Sequence, residues 1–187
     1  FISGRHASMI SCPQISSWVE KSAGQIDPSL GPVLDLACGA GRHSKYLHSL
    51  GMYVISLDRE EKLLKLLQNE EINCVSCDLE ASTNQGHSYV WPFSRDAFSA
   101  IVVTNYLHRP LFSELLASIK PGGVLIYETF AIGNEAYGRP RNRDFLLQEN
   151  ELLQRCVFDS PLGSNFVCIA FEHGLVNQAS PAIEIGR

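Results

Sequence analysis

Apolar and polar positions along this chain keep two alternating rhythms. Short apolar runs occupy residues 33–37, 53–58, 72–78, 97–104 and 124–130. Between them lie segments whose apolar residues recur every three or four positions. Residues 42–50 carry Tyr46, Leu47 and Leu50 in that spacing, and residues 60–69 carry leucines at 63, 64, 66 and 67. Residues 111–119 continue the pattern. Runs fenced by glycine and proline suit strands buried on both faces, and the longer period suits crossover helices. The alternation predicts a parallel sheet of α/β type. Before it, residues 13–21 predict a short helix with Ile15, Trp18 and Val19 on one face. After it, residues 131–144 read as a glycine- and arginine-rich loop, 149–155 as a helix, and 165–172 and 182–185 as strands.

The stretch that organises the rest is Val33-Leu34-Asp35-Leu36-Ala37-Cys38-Gly39-Ala40-Gly41. A buried strand stops in a glycine turn and a helix opens at Arg42. Glycines let a ligand approach the backbone, and the free N–H groups at a helix start attract electron-rich atoms, so the unit reads as a nucleotide cradle. A dinucleotide fold has a third glycine where this chain has Ser44, and a carboxylate at Asp35 would repel a pyrophosphate. The same carboxylate suits a ligand that carries an ammonium and a sulfonium.

Asp35-x-Ala37-x-Gly39-x-Gly41 resembles motif I of class I S-adenosylmethionine-dependent methyltransferases, with Ala37 where the family often has glycine. Further features follow in family order: Asp58 and Asp78 after the second and third strands, Asn105-Tyr106-Leu107-His108 after the fourth, and Lys120-Pro121-Gly122-Gly123 before the fifth. The run continuing to Glu128-Thr129-Phe130-Ala131 and Gly138-Arg139-Pro140-Arg141 is similar to small methyltransferases near the tellurite-resistance and thiopurine-like group. The resemblance implies a Rossmann-like sheet of seven mostly parallel strands, helices on both faces, and an antiparallel last strand. It implies S-adenosylmethionine as cofactor, bordered by Asp35, Ala37, Cys38, Gly39, Gly41, Asp58, Arg59, Asp78, Leu79, Asn105 and Tyr106. Asp58, 17 residues beyond Gly41, resembles the acid that takes the ribose hydroxyls. A helix N-cap is its other reading.

With 187 residues the chain is expected to form one domain: residues 1–30 as a helix and lid region, 31–187 as the core. A net charge of -5 and pI near 5.7 exclude a global basic field, so nucleic acid is not the expected partner. No apolar run approaches the roughly 20 residues that span a bilayer. The first residue is Phe1 rather than Met. Cysteines at 12, 38, 74, 77, 156 and 168 form no small secreted framework, which points to a reducing, cytoplasmic setting. Cys74-Val75-Ser76-Cys77 has metal-ligand spacing, but strand residues three apart face opposite ways and no second pair completes a site, so no metal is expected.

The expected chemistry is in-line methyl transfer to a small-molecule acceptor, in which orientation does much of the catalysis. Protein or RNA acceptors, or a module that binds the donor without turnover, are the alternatives. His108 is the candidate base, with an ordinary pKa of ~6.5, and Tyr106 borders the same pocket. Arg109, Arg139, Arg141 and Arg143 read as a cationic mouth for an anionic acceptor, Arg139 foremost, or as a solvated loop. His43 and His48 are expected to be structural or solvent-facing.

Overall fold

The computed structural model describes residues 14–81, 89–159 and 166–175 and the backbone of 176 and 182–185. Five strands run parallel: β1 Val33–Leu36, β2 Val54–Asp58, β3 Asn73–Ser76, β4 Phe98–Thr104 and β5 Ile119–Phe130. They lie in the order β3-β2-β1-β4-β5, so the chain turns outward in both directions from β1 and β4. Helices α1 Ser17–Ser22, α2 Arg42–Ser49, α3 Glu61–Gln68, α4 Phe112–Ala117 and the short α5 Glu151–Leu153 connect or follow them.

Alternation along each strand builds two cores. Leu34, Leu36, Leu57, Ile101, Val103 and Tyr127 pack on the face covered by α4. Val33, Val54, Ala100, Val102 and Ile126 pack on the other, against Trp18 and Val19 of α1 and Leu47 of α2. Two residues further along this second face, toward the carboxyl ends, the side chains turn polar: Asp35, Ser56, Thr104 and Glu128. Register places Asp35 opposite Ser56 and Thr104 opposite Glu128.

Beyond the five parallel strands, β6 His173–Val176 and β7 Ala182–Ile185 extend the sheet to seven in the order β3-β2-β1-β4-β5-β7-β6, with β7 antiparallel to both of its neighbours. Three expectations need correction. Residues 166–172 are irregular, not a strand; β6 comes later, at His173–Val176, and pairs antiparallel with β7 Ala182–Ile185. β7 meets β5 only at Thr129 and Phe130, also antiparallel. Lys120-Pro121-Gly122-Gly123 does not precede the fifth strand but interrupts it: Phe98 pairs with Ile119 and Ala100 with Val124, so four residues bulge opposite Ser99. A Cβ on Gly123 would stand 2.7 Å from the Ser99 carbonyl oxygen, so only glycine fits. The buried face of α2 is His43, Ser44 and Leu47, whereas Leu50 is exposed.

The expected helix 149–155 is one turn of α-helix, α5, continued by a π-helical segment, Gln154–Phe158. Residues 1–13 of the expected lid region, among them the expected helix start at Pro13, lie outside the described residues. Among the described residues, no helix is long and apolar enough to cross a membrane and no side-chain group is arranged to hold a metal.

Candidate functional site

The site is built where β1 and β2 end. After Leu36 the chain passes through Ala37 at φ 54°, Gly39 at φ 56° and Gly41 at φ 73° before α2 begins. Three left-handed residues in five fold the backbone back on itself, a conformation that costs an alanine roughly 1–2 kcal/mol and a glycine little. A side chain at Gly39 would project into open space, leaving that side of the turn to a ligand, whereas one at Gly41 would collide with Leu67 of α3. The turn is therefore open above and packed below.

Asp58 fixes it in place. Its Oδ2 accepts the Gly39 N–H at 2.7 Å and its Oδ1 accepts the Glu60 N–H at 2.9 Å, where α3 starts. Asp58 is not the N-cap of α3, which is Glu60 without a side-chain cap bond; the Asp58 carboxylate ties the glycine turn to the residue that enters the helix. A carboxylate offers about four acceptor positions, so two remain for ligand hydroxyls.

Asp35 is 1% exposed. Its Oδ2 accepts the Ser44 hydroxyl at 2.5 Å, Ser44 in turn accepts from Ser56 at 2.8 Å, and its Oδ1 has no hydrogen-bond partner. Burial is the main cause that pushes its pKa up to about 6, helped by the neighbouring Asp58 charge and opposed by Ser44 and Arg42. A buried carboxylate oxygen without a donor is costly in the absence of a partner.

The remaining predicted residues divide. Asp78 is exposed and its Oδ1 accepts the Glu80 N–H at 3.1 Å, two residues past β3, while Leu79 is buried in the α4-face core. Arg59 is exposed beside Asp58. The Cys38 side chain belongs to the cluster of Leu64, Leu67, Ile72 and Cys74 under the turn, so only its backbone borders the site, and burial pushes its thiol pKa up. Asn105 is exposed at φ 56°, its N–H donating to the Glu128 carbonyl at 2.9 Å. Tyr106 has a buried hydroxyl with no well-formed hydrogen bond; burial first, then the charges of Glu80 and Asp78, raise its pKa. Its carbonyl accepts the Tyr127 hydroxyl at 2.7 Å. His108 and Tyr106 line one small cavity together with Leu36 and Tyr127, on the α4 face.

The arginines do not act as a group. Arg109 grips Glu151 through Nε at 2.7 Å and Nη2 at 2.8 Å, and also holds the Asp144 and Leu146 carbonyls, so it clamps the loop and faces no ligand. Arg143 lies 3.7 Å from Glu135. Arg139 and Arg141 are exposed, flanking Pro140, whose carbonyl is held by the buried Asn134.

Sequence reasoning passed over a second polar cluster: His43, Thr104 and Glu128, met by Ser16. The available signal was a helix whose buried positions 43 and 44 are polar, facing strands with polar tips.

A parallel sheet that reverses direction between β1 and β4, with a glycine turn on one strand tip and a carboxylate on the next, defines a nucleoside-binding α/β domain. Residues 33–123 match the model of a methyltransferase-domain family. TehB from Haemophilus influenzae shares the fold, with a TM-score of 0.67 over 94% of this chain and 61% of that one at 21% identity. A geranyl diphosphate C-methyltransferase from Streptomyces coelicolor A3(2), solved with Mg2+, geranyl diphosphate and S-adenosyl-L-homocysteine, gives 0.57 over 83% and 61% at 19% identity. A SAM-dependent methyltransferase from Archaeoglobus fulgidus gives 0.60 over 83% and 69% at 15%. The chain thus spans about three-fifths of the length of the first two. No curated protein sequence matches. The matched stretch is just under half of the chain: over it the sequence is similar to a methyltransferase domain, and the solved structures show the same fold.

S-adenosylmethionine is the cofactor that the methyltransferase resemblance implies, and the residues present fit it. The open side of Gly39 gives the backbone approach, Asp58 retains acceptor capacity, and the unpaired oxygen of Asp35 adds negative charge beneath the turn.

Proposed function

We propose that the domain transfers a methyl group from S-adenosylmethionine to a small, anionic acceptor in the cytoplasm. The observation that carries the reading is the glycine turn tied by Asp58 through the Gly39 N–H at 2.7 Å. Gly39, Gly41 and the backbone of Ala37 and Cys38 would hold the methionine end, Asp58 with Arg59 the ribose, and Asp78 and Leu79 the adenine, with Asn105 and Tyr106 bordering the methionine part. Bound there, the donor supplies an electrophilic methyl on a sulfonium whose departure as a thioether is easy. The protein's part is to hold the acceptor in line and keep water out, and orientation of this kind contributes several kcal/mol.

If the acceptor carries a proton at neutral pH, His108 is the residue to take it, next to Tyr106. Arg139 and Arg141, presented on a loop pinned by Asn134 and Arg109, would meet the acceptor's negative charge. The experiment is turnover: S-adenosylhomocysteine release measured across a panel of small carboxylates, thiols and phosphates. Turnover with one of them supports the reading, and binding of the donor with no product from any panel member favours a module that binds without reacting. With an acceptor in hand, Arg139→Gln is expected to raise its KM about tenfold while donor affinity stays within twofold. Equal loss of both would remove Arg139 from the acceptor site.

A further inference from the structure

Two loops leave the carboxyl ends of neighbouring strands: residues 105–109 follow β4 and residues 131–147 follow β5. In an open α/β sheet the ligand crevice lies at those ends. The first loop carries Tyr106 and His108, the second Arg139 and Arg141. The second closes on its own strand, since the Leu147 N–H donates to the Phe130 carbonyl at 3.0 Å and the Ile132 N–H to the Leu147 carbonyl at 2.9 Å. An acceptor held between the loops needs them fixed relative to each other as well.

The buried carboxylate of Glu151, on α5, reaches the first loop by two routes. The direct one is Arg109, whose Nε and Nη2 donate to Glu151 at 2.7 and 2.8 Å while the same guanidinium holds the Asp144 and Leu146 carbonyls of the second loop. The other begins with Arg155, in the π-helical segment, whose Nε donates to Glu151 Oε1 at 2.6 Å. The Arg155 guanidinium carbon stands 5.4 Å from the centre of the Phe112 ring, and that ring stacks on Tyr127 with centroids 5.5 Å apart. The Tyr127 hydroxyl then donates to the Tyr106 carbonyl at 2.7 Å. Phe112, Tyr127, Tyr106 and His108 line one cavity. The two routes therefore end on either side of His108, at Tyr106 and at Arg109.

An ion network is a poor way to gain stability alone, because charges cost free energy to desolvate and packed apolar groups of the same volume often serve as well. What the guanidinium fork adds is direction, since it takes its acceptors in a fixed plane. We propose that Glu151 and Tyr127 are positioning residues: through Arg109 and through the Phe112–Tyr127 stack they fix Tyr106 and His108 relative to the arginines of the second loop, and so set how the acceptor is presented to the donor. The proposal rests on the acceptor reading of His108, Arg139 and Arg141. Misplacing reacting atoms by about 1 Å costs about 100-fold in rate, so small slippage of either loop is read directly in turnover.

The test uses the full chain and three variants. Glu151→Gln keeps the shape and loses the charge; Arg109→Lys keeps the charge and loses the fork; Tyr127→Phe removes one hydroxyl and leaves the ring stack. Three quantities are measured: kcat and KM for the acceptor found in the panel, S-adenosylhomocysteine affinity by calorimetry, and the rate of native tryptic cleavage after the exposed Arg141. Acceptor kcat/KM is expected to fall at least about tenfold in Glu151→Gln and Arg109→Lys and about threefold in Tyr127→Phe, with S-adenosylhomocysteine affinity within about twofold of the parent in all three. Cleavage after Arg141 should quicken about tenfold in the first two and stay parent-like in Tyr127→Phe, which touches only the first loop. A cluster that merely stabilises the fold would leave kcat/KM unchanged in chains that remain folded at the assay temperature. Should Glu151→Gln fail to fold, Arg109→Lys and Tyr127→Phe decide. Folded variants with parent-like kcat/KM, or with kcat/KM and S-adenosylhomocysteine affinity falling together, overturn the positioning role while the acceptor reading stands. A parent that turns over no member of the panel overturns the acceptor reading, and the positioning role with it.

Discussion

Ala37 shows what a single residue reveals once its backbone angle is known. The motif marks it as a place where relatives often carry glycine, and φ of 54° supplies the reason. An L-residue in that region brings Cβ too close to the following carbonyl. Ala37→Gly is expected to stabilise the chain by about 0.5–1 kcal/mol, the relief of strain exceeding the added freedom of the unfolded chain. Urea denaturation of parent and variant measures this, and a variant no more stable than the parent would show that the turn is held without strain. Asp58 was legible for the same kind of reason: an acid at a strand end followed by a helix start has few places to go. His43 was not, because a histidine at helical spacing is set by what the facing strands offer, and those partners lie 61 and 85 residues away in sequence, at Thr104 and Glu128.

Among elements, the five parallel strands and α2 to α4 follow directly from the apolar rhythm. The C-terminal third does not. Residues 166–172 have the composition of a strand, but pairing needs a partner edge, and β7 reaches β5 only at Thr129 and Phe130. The arginines also depended on distant geometry: Arg109 is paired with a glutamate 42 residues on. Glu151 accepts from Arg109, from Arg155 Nε at 2.6 Å and from the Gln148 N–H at 3.0 Å. Burial alone would raise its pKa, but these bonds hold it at about 2 against an ordinary 4.5. Because the folded value is depressed, the stabilisation is full above about pH 4.5 and is lost as pH falls toward 2. Glu151→Gln should therefore cost about 1–3 kcal/mol at pH 7 and unfold with a flatter acid limb than the parent in thermal scans from pH 5 to 2. An unchanged acid limb would mean that the clamp contributes nothing.

At the scale of the whole molecule, two buried groups on one face of the sheet oppose each other over one pH window. Burial first, then Arg42, lowers the His43 pKa to about 4 against the pull of Glu128, so its penalty grows as pH falls from 6.5 toward 4. Asp35, raised to about 6, behaves oppositely: the fold takes up protons more readily than the unfolded chain, and stability falls as pH rises from 3.8 toward 6. The parent is expected to show a nearly flat thermal midpoint between pH 4 and 6. His43→Gln should expose the fall due to Asp35, and Asp35→Asn the rise due to His43. Parallel profiles for all three chains would remove this balance. An unpaired, partly protonated carboxyl beneath a glycine turn is what a site built for a cationic ligand looks like before the ligand arrives.

Titration calorimetry of S-adenosylhomocysteine and S-adenosylmethionine into the full chain and into Asp58→Ala tests that claim most directly. The account predicts saturable one-site binding by the parent and at least about a tenfold loss in Asp58→Ala, since the turn loses its anchor and the ribose its acceptor. A well-folded parent that takes up neither ligand, or an Asp58→Ala chain that binds as tightly as the parent, would contradict it.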